Sequence, residues 1–323
     1  MIEQLKFVQG AVARKDFSPV LTHFRLENKR VLGYNGSLAL SSPFPLDLTC
    51  SPQAQQLVKA IQLCTDKISV TQMENGDLVI KSGKFKTIVQ SSTDAYPSVE
   101  PAGYMVAMPG DLIPILKIVR AFVSEDASRT WSRGVLLRQN SAWATNNIIL
   151  VQRWMGYGFP VDINIPASAV DELIRIGEEP ISAQIELDND QKAIAISFHY
   201  KDERWMRTHT LSTEWPTSVE RLLNIESNQK PITSELWEAL EMIKGFMDEQ
   251  QRIYLSKGLI STTLLPEDGT TIEVAGLNDK GLFGRKYLNM LKDTVTRIDF
   301  SQWPRPCAFS GDKLRGVIIG MVK

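Results

Sequence analysis

Short runs in which apolar and polar residues alternate recur along the chain, and three groups of these runs share one layout. The groups read KISVTQMENGDLVIKSGKFKTIVQSS, ISAQIELDNDQKAIAISFHYKDERWMRTHTLS and, at the end of the chain, TRIDFSQWPRPCAFSGDKLRGVIIGMVK. Alternation with a period of two indicates half-buried strands, and turn residues between the runs, such as Asn75-Gly76, indicate antiparallel hairpins. Each group therefore predicts three antiparallel strands.

A short amphipathic helix is predicted before each group, in the segments SPQAQQLVKAIQLC, PASAVDELIRIG and GRKYLNMLKD. In the first segment we expect Ser51 to be the N-cap and Pro52 the first helical residue, because these residue types favour those positions. Ala54, Leu57 and Ile61 lie on one face of that helix. The segments begin near residues 52, 166 and 284. Their spacing of about 115 residues is one domain length.

The first half of each repeat also has the same order of predicted helices and strands. Helical patterns are predicted over residues 2–13, 111–124 and 234–248, and strand-like runs follow each of them. The unit of helix, strands, helix and three strands therefore occurs three times, which predicts domains at residues 1–104, 105–222 and 223–323. Internal repeats of this kind decide the architecture. The predicted fold class is α+β, with antiparallel sheets and two helices per domain.

Two similar phrases, SSTDAYPSVE and LSTEWPTSVE, follow the first and second groups of runs. Proline has no N–H group to donate to a sheet, and it biases the residue before it toward extended geometry. We interpret Pro97 and Pro216 as the ends of the last strands of two domains. Tyr96 and Trp215, which precede them, are expected to pack on the domain cores.

Composition narrows the class of protein without assigning a function. The chain has 323 residues, of which 43% are hydrophobic and 23% charged, and its net charge is −1. These values are typical of a globular protein with two or three domains, and the net charge gives no sign of nucleic-acid binding. No apolar run reaches the roughly 18 residues that a membrane span needs. Three widely separated cysteines predict no disulfide framework, so we expect a cytoplasmic protein.

The sequence predicts no metal, no cofactor and no enzymatic activity. The three histidines, His23, His199 and His209, are not spaced with cysteines or acids as metal ligands are. The run Asp188-Asn189-Asp190 lacks the glycine and glutamate of a calcium loop and indicates a hairpin turn. No phosphate-binding loop or nucleophile motif occurs.

With this repeat, the whole chain resembles the bacterial sliding clamp, the beta subunit of DNA polymerase III. The resemblance is sharpest in VIKSGKFKTIVQSSTDAYPSVE, in TLSTEWPTSVERLL and in the terminal KYLNMLKDTVTRIDFSQWPRPCAFSGDKLRGVIIGMVK. It implies that two chains of three domains each close a ring around double-stranded DNA. Such a homodimer tethers a polymerase without recognising sequence and without catalysis. It also implies that peptides of the polymerase and the clamp loader are partners.

Cations on the helices and one loop are the expected DNA-binding residues, because a sliding ring must attract phosphates without reading bases. The candidates are Arg14, Lys15, Lys59, Lys117, Arg120, Arg129, Arg175 and Lys286. The resemblance places Lys15 on a loop close to the DNA. The alternative is that these side chains only solvate helix surfaces. The acidic helix SELWEALEMIKGFMDEQQR would repel DNA unless its acids point outward.

The resemblance also implies an apolar pocket for partner peptides and an interface between subunits. For the pocket, it selects Thr145, Leu150, Pro216, Val317, Ile318, Ile319, Gly320 and Met321. The family's Thr-Asp-Gly-His-Arg-Leu run is TNNIIL here, and Gly320 stands in place of a proline. For the interface, it selects Lys84 and Ile88 of an edge strand, and Phe246 and Met247. A buried strand at the first site and core residues at the second are the alternative interpretations.

Three functions remain open from the sequence. The first is a homodimeric sliding clamp that acts as a processivity factor. The second is a divergent clamp-like regulator, for example of phage or mobile-element origin, that binds replication partners or interferes with a host clamp. The third and weakest is an enzyme whose site is not visible as a motif.

Overall fold

A computed structural model describes residues 1–15 and 17–322. Within this part of the chain the helices are α1 Ile2–Gln9, α2 Ala54–Gln62, α3 Leu112–Val119, α4 Ala167–Ile176, α5 Ser218–Arg221, α6 Ser234–Met242 and α7 Arg285–Asn289. Short 3₁₀ turns extend α3, α5 and α6 over Arg120–Phe122, Leu222–Asn224 and Ile243–Phe246. No helix of the described chain is both long enough and apolar enough to cross a membrane.

The strands of the same residues are numbered along the chain. They are β1 Arg25–Glu27, β2 Arg30–Tyr34, β3 Leu38–Pro43, β4 Ser69–Gln72, β5 Leu78–Ser82, β6 Phe85–Val89, β7 Tyr104–Ala107, β8 Gly134–Arg138, β9 Ser141–Thr145, β10 Ile149–Trp154, β11 Ile163–Pro166, β12 Ser182–Leu187, β13 Ala193–His199, β14 Trp205–His209, β15 Lys230–Pro231, β16 Arg252–Ser256, β17 Leu259–Ser261, β18 Thr271–Glu273, β19 Gly281–Gly284, β20 Arg297–Ile298, β21 Cys307–Gly311 and β22 Leu314–Ile318.

The chain divides into two compact units. The first comprises residues 1–113 and 171–210. It contains a seven-stranded sheet in the order β1-β2-β3-β14-β13-β12-β7 and a three-stranded sheet in the order β4-β5-β6. All pairings in these sheets are antiparallel.

The second unit comprises residues 114–170 and 211–323. Its eight-stranded sheet runs β11-β8-β9-β10-β22-β21-β20-β15, and its four-stranded sheet runs β18-β17-β16-β19. These pairings are antiparallel too. The predicted α+β class with antiparallel sheets is confirmed.

The two units do not follow the three predicted domain boundaries. Strands of the predicted second domain occur in both large sheets, because β14 pairs with β3 while β10 pairs with β22. Each large sheet therefore joins strands from different predicted repeats, and the compact units follow the sheets rather than the repeats. Three domains at residues 1–104, 105–222 and 223–323 therefore stay a prediction.

The three groups of alternating runs form the predicted strands, namely β4–β6, β12–β14 and β20–β22. Burial explains why the pattern was informative. On β5, for example, Leu78 and Ile80 are fully buried, whereas Lys81 is exposed. The apolar faces of the helices behave in the same way, since Leu112, Leu116 and Val119 of α3 are fully buried.

Two local predictions were wrong. The helix expected from Pro52 begins at Ala54, and the Oε1 atom of Gln53 accepts the N–H of Gln56 at 2.7 Å. Ser51 is buried and does not cap it. Pro97 and Pro216 do not end strands either, because β6 already ends at Val89 and β14 at His209.

Burial should make two of the three cysteines chemically inert. Burial raises the pKa of the Cys50 thiol to about 11 and that of Cys307 to about 12, whereas Cys64 is only half-buried. Alkylation requires an accessible thiolate. We expect iodoacetamide near pH 8 to label the native chain once, at Cys64, and the unfolded chain three times, as counted by mass spectrometry. A native Cys64→Ser variant should stay unlabelled, and rapid labelling of Cys50 would contradict the described burial.

Candidate functional site

A cavity of about 270 Å³ opens on the eight-stranded sheet of the second unit. The hairpin β9–β10 and the end of β22 form one side of it, and the segment from Pro216 to Leu222 forms the other. Its lining residues are Arg129, Trp131, Thr145, Asn147, Ile148, Ile149, Leu150, Pro216, Ser218, Val219, Leu222, Val317 and Ile319. The lining is mostly apolar, which is typical of sites that bind side chains of a ligand.

The floor of this cavity belongs to a packed apolar cluster. Leu150 of β10 and Val317 of β22 are directly opposite in the sheet, and both are buried. Leu136, Trp143, Trp215, Leu223 and Ala308 complete the buried cluster. The rings of Trp131 and Trp215 meet edge to face with centroids 5.0 Å apart. Because such a floor is held by close packing, its shape is set before any ligand arrives.

Hydrogen bonds fix the turn between β9 and β10 at the mouth of the cavity. The Thr145 hydroxyl donates to the Ile149 carbonyl at 2.7 Å and accepts the Asn147 N–H at 3.1 Å. The Asn146 carboxamide oxygen accepts the N–H groups of Ile148 and Ile149. Asn147 has a φ of 72°, a left-handed conformation that asparagine tolerates better than most residues. Hydrogen bonds from its own polar side chains therefore fix the conformation of the turn.

Among the residues that the structure describes, Arg129 is the one charged residue that lines the cavity. Its Nη1 atom donates to the Asn147 carboxamide oxygen at 2.9 Å, which orients the guanidinium at the rim. Arg129 forms no ion pair within residues 1–15 and 17–322. The Arg129 guanidinium also lies within electrostatic range of the exposed Asp126 carboxyl. A carboxylate of a ligand would find an oriented donor in Arg129.

Five of the eight residues predicted for a pocket line this cavity, namely Thr145, Leu150, Pro216, Val317 and Ile319. The other three do not line it. Ile318 is fully buried, and successive side chains of a strand point to opposite faces. A side chain on Gly320 would lie 2.4 Å from Trp303 Cδ1, which accounts for glycine at that position. Met321 instead donates its N–H to the Leu282 carbonyl at 2.7 Å.

Sequence reasoning assigned Arg129 to DNA binding and missed seven other lining residues, namely Trp131, Asn147, Ile148, Ile149, Ser218, Val219 and Leu222. The signal for two of them was present, because Val219 and Leu222 are three apart in an amphipathic stretch after Pro216. Trp131 lies in a 3₁₀ turn, Thr130–Ser132, with no periodic pattern. Only the folded chain brings it against Trp215.

The cations predicted to bind DNA fall into two groups. Arg14, Lys15, Lys59, Lys117 and Lys286 are exposed. Arg129 and Arg175 are exposed as well, but both also contact other residues of the chain. Arg175 binds both carboxylate oxygens of Glu172, at 2.5 and 2.8 Å, and the Phe7 carbonyl at 2.9 Å. Arg120 is half-buried, and Arg129 lines the cavity.

The acids of α6 and the residues after it are largely engaged within the protein. Glu241 accepts hydrogen bonds from Arg285 and Asn289, and the Asn289 amide holds the pKa of Glu241 below its usual value. Asp248 pairs with Arg252 at 3.0 Å. Glu235 accepts the Ala275 N–H at 3.0 Å. These interactions weaken the negative field that the sequence suggested for this helix.

The residues predicted at a subunit interface are mostly on the surface. Ile88, on the edge strand β6, is 49% exposed, and Phe246 is 67% exposed. The alternative that Phe246 is a core residue is therefore wrong. Met247 is half-buried, and Lys84 lies in the turn before β6 rather than on the strand. The described residues contain no cluster of His, Cys, Asp or Glu that could hold a metal ion.

The fold is that of the bacterial DNA sliding clamp, which confirms the resemblance at the level of structure. The chain matches the beta subunit of DNA polymerase from Streptococcus pyogenes with a TM-score of 0.80 at 19% identity. It matches the DNA polymerase sliding clamp of Bacillus subtilis at 0.81 and 17%, and the Pseudomonas aeruginosa sliding clamp bound to griselimycin at 0.81 and 18%. Each match covers 100% of this chain and 97% of the other. No protein-family model and no curated protein sequence matches.

Proposed function

We propose that the protein is a DNA sliding clamp, a processivity factor that encircles duplex DNA as a homodimer and performs no chemistry. Support comes from a clamp fold that extends over the whole chain and from the cavity on the eight-stranded sheet. The cavity carries the proposal, because it lies where the clamp resemblance independently selected Thr145, Leu150, Pro216, Val317 and Ile319. A role in bacterial replication would also place the protein in the cytoplasm.

In this proposal, the cavity holds a short peptide of a replicative polymerase or a clamp loader. Apolar side chains of the peptide pack on Leu150, Val317 and Ile319. A peptide carboxylate binds the guanidinium of Arg129, which Asn147 already orients. An oriented arginine loses less side-chain entropy on binding, so this contact favours acidic peptides.

Processive synthesis is the direct test of this function. The protein is added to its cognate polymerase and loader on a singly primed circular template, and product length is measured. We expect full-length products only when the protein is present, because a closed ring prevents dissociation of the polymerase. Unchanged product length would refute the proposal.

A second candidate is a clamp-like regulator, and one observation favours it. The turn at the mouth of the cavity carries Asn146, Asn147, Ile148 and Ile149 where the clamp family carries Asp, Gly, His and Arg. A pocket with this different rim could select a restricted set of partners. In the same assay a regulator would bind the peptides yet shorten the products made with a host clamp.

Binding to DNA should be electrostatic and independent of sequence. We expect a Lys15→Ala, Lys59→Ala and Lys117→Ala triple variant to bind duplex DNA more weakly. The slope of log K against log salt should fall by about 0.9 for each phosphate that the variant no longer neutralises. Fluorescence anisotropy over a salt series measures both quantities. Lys257→Ala, an exposed lysine in a hairpin turn, is the control, and an equally large weakening with it would exclude specific roles for the three lysines.

A further inference from the structure

The eight-stranded sheet carries a second groove at the far ends of β9 and β10, where the hairpin β21–β22 meets them. It has a volume of about 380 Å³. Its lining residues are Asn140, Ser141, Gln152, Trp154, Gly311, Lys313, Leu314 and Arg315. None of these residues lines the cavity described above. The groove is therefore a surface separate from that cavity, and a ligand could occupy it whether or not the cavity binds a peptide.

Trp154 distinguishes this groove from an ordinary solvated sheet surface. Its side chain is 47% exposed, whereas the other six tryptophans of the chain are buried or half-buried. Leaving a large apolar ring in water is unfavourable, and tryptophan and arginine are the residues that most often dominate protein interfaces. The exposed ring therefore points to a partner that covers it.

A directed chain of hydrogen bonds orients Arg315 beside Trp154. The Arg315 Nε atom donates to Gln152 Oε1 at 2.7 Å. Gln152 Nε2 donates in turn to the Ser141 hydroxyl at 3.0 Å, and that hydroxyl donates to Asn140 Oδ1 at 3.4 Å. These hydrogen bonds engage only the Nε atom of the Arg315 guanidinium. A guanidinium fixed through Nε presents its two terminal nitrogens as a preformed fork for a carboxylate.

The charge of the groove is positive. Lys313 Nζ lies 5.7 Å from the centre of the Trp154 ring, a cation–π contact. Neither Lys313 nor Arg315 forms an ion pair with any described residue. The neighbouring carboxylate, Asp312, is directed to Arg153, with Oδ2 3.8 Å from Nη2. The groove thus offers two uncompensated cations and one apolar ring to a partner of opposite charge.

We propose that this groove binds an acidic segment of a protein partner, with carboxylates on Arg315 and Lys313 and an apolar side chain against Trp154. Single-stranded nucleic acid would need a free ring face on which a base can stack. Lys313 already lies over the ring, so a base could stack on that face only by displacing it, whereas an apolar side chain needs only the exposed part of the ring. The surroundings of the ring therefore favour a peptide over a base.

The test uses the full-length protein and a fluorescein-labelled peptide of about 12 residues in which Asp and Glu alternate with Leu and Phe. Anisotropy gives the dissociation constant. We expect Trp154→Ala and Arg315→Ala each to weaken binding about tenfold or more. Gln152→Ala should have a smaller effect, because it frees Arg315 without removing it. Arg305→Ala removes another exposed arginine of the same unit and should leave binding unchanged.

Two conservative variants keep the test decisive if an alanine variant fails to fold. Trp154→Phe keeps an apolar ring and should bind nearly as well as the native chain. Arg315→Lys keeps the charge but loses the fork, so binding should weaken. A peptide that does not bind at roughly 1 mM, or an equally large weakening with Arg305→Ala, would overturn the proposal. Tighter binding of an oligothymidylate of equal length, dependent on Trp154, would overturn it in favour of nucleic acid.

Discussion

Ile319→Asp should weaken binding of a polymerase-derived peptide to the protein by about a hundredfold. Ile319 lines the cavity and is 39% exposed in the free protein. It lies two residues after Val317, which lines the same cavity. In the complex a peptide side chain would cover this position. A carboxylate buried there loses its hydration, and the apolar packing disappears as well. The weakening corresponds to about 2.7 kcal/mol.

The measurement is fluorescence anisotropy with a labelled peptide copied from the clamp-binding segment of a replicative polymerase. Val322→Asp is the matched control, because Val322 is also an exposed apolar residue near the end of the chain but does not line the cavity. Thermal unfolding of both variants checks that the fold is intact. Equal affinities of the Ile319→Asp variant and the native chain would show that peptides bind elsewhere.

The strands were predictable because burial on one face leaves a period of two in the sequence. The same rule could have refined the list of pocket residues, since alternation places Val317 and Ile319 on one face of the sheet and Ile318 on the other. The helix start was less predictable. Ser51 has the residue type of a cap, but tertiary contacts bury it, and the next polar residue, Gln53, takes that role.

The roles of individual cations were the least predictable part. Glu172 is three residues before Arg175, so their helical ion pair could be read from the sequence. The Phe7 carbonyl that also binds Arg175 is far away in the chain, and no local pattern indicates it. Likewise, Arg129 joins the cavity only because the β9–β10 turn places Asn147 beside it. Such contacts depend on the closed fold rather than on spacing.

Phe246→Asp should convert the proposed dimer into a monomer. Phe246 ends the 3₁₀ turn after α6, and Met242 at the end of α6 is equally exposed, at 67%. On the first unit, Ile88 projects from the edge strand β6. An edge strand with an exposed apolar residue is prone to pair with another chain, and a two-fold dimer would make such a contact twice.

Because the substitution places a charge in both copies of the interface, we expect the dimer dissociation constant to rise by at least about a hundredfold. Sedimentation velocity over a range of protein concentrations measures the change, and Ile88→Asp should give the same result from the opposite side of the interface. Met105→Asp is the matched control, since Met105 is an exposed apolar residue on the edge strand β7, outside the predicted interface. A dimer that dissociates with Met105→Asp but persists with Phe246→Asp would place the interface at β7, and the ring would then have to close by a different surface from the one that the clamp resemblance implies.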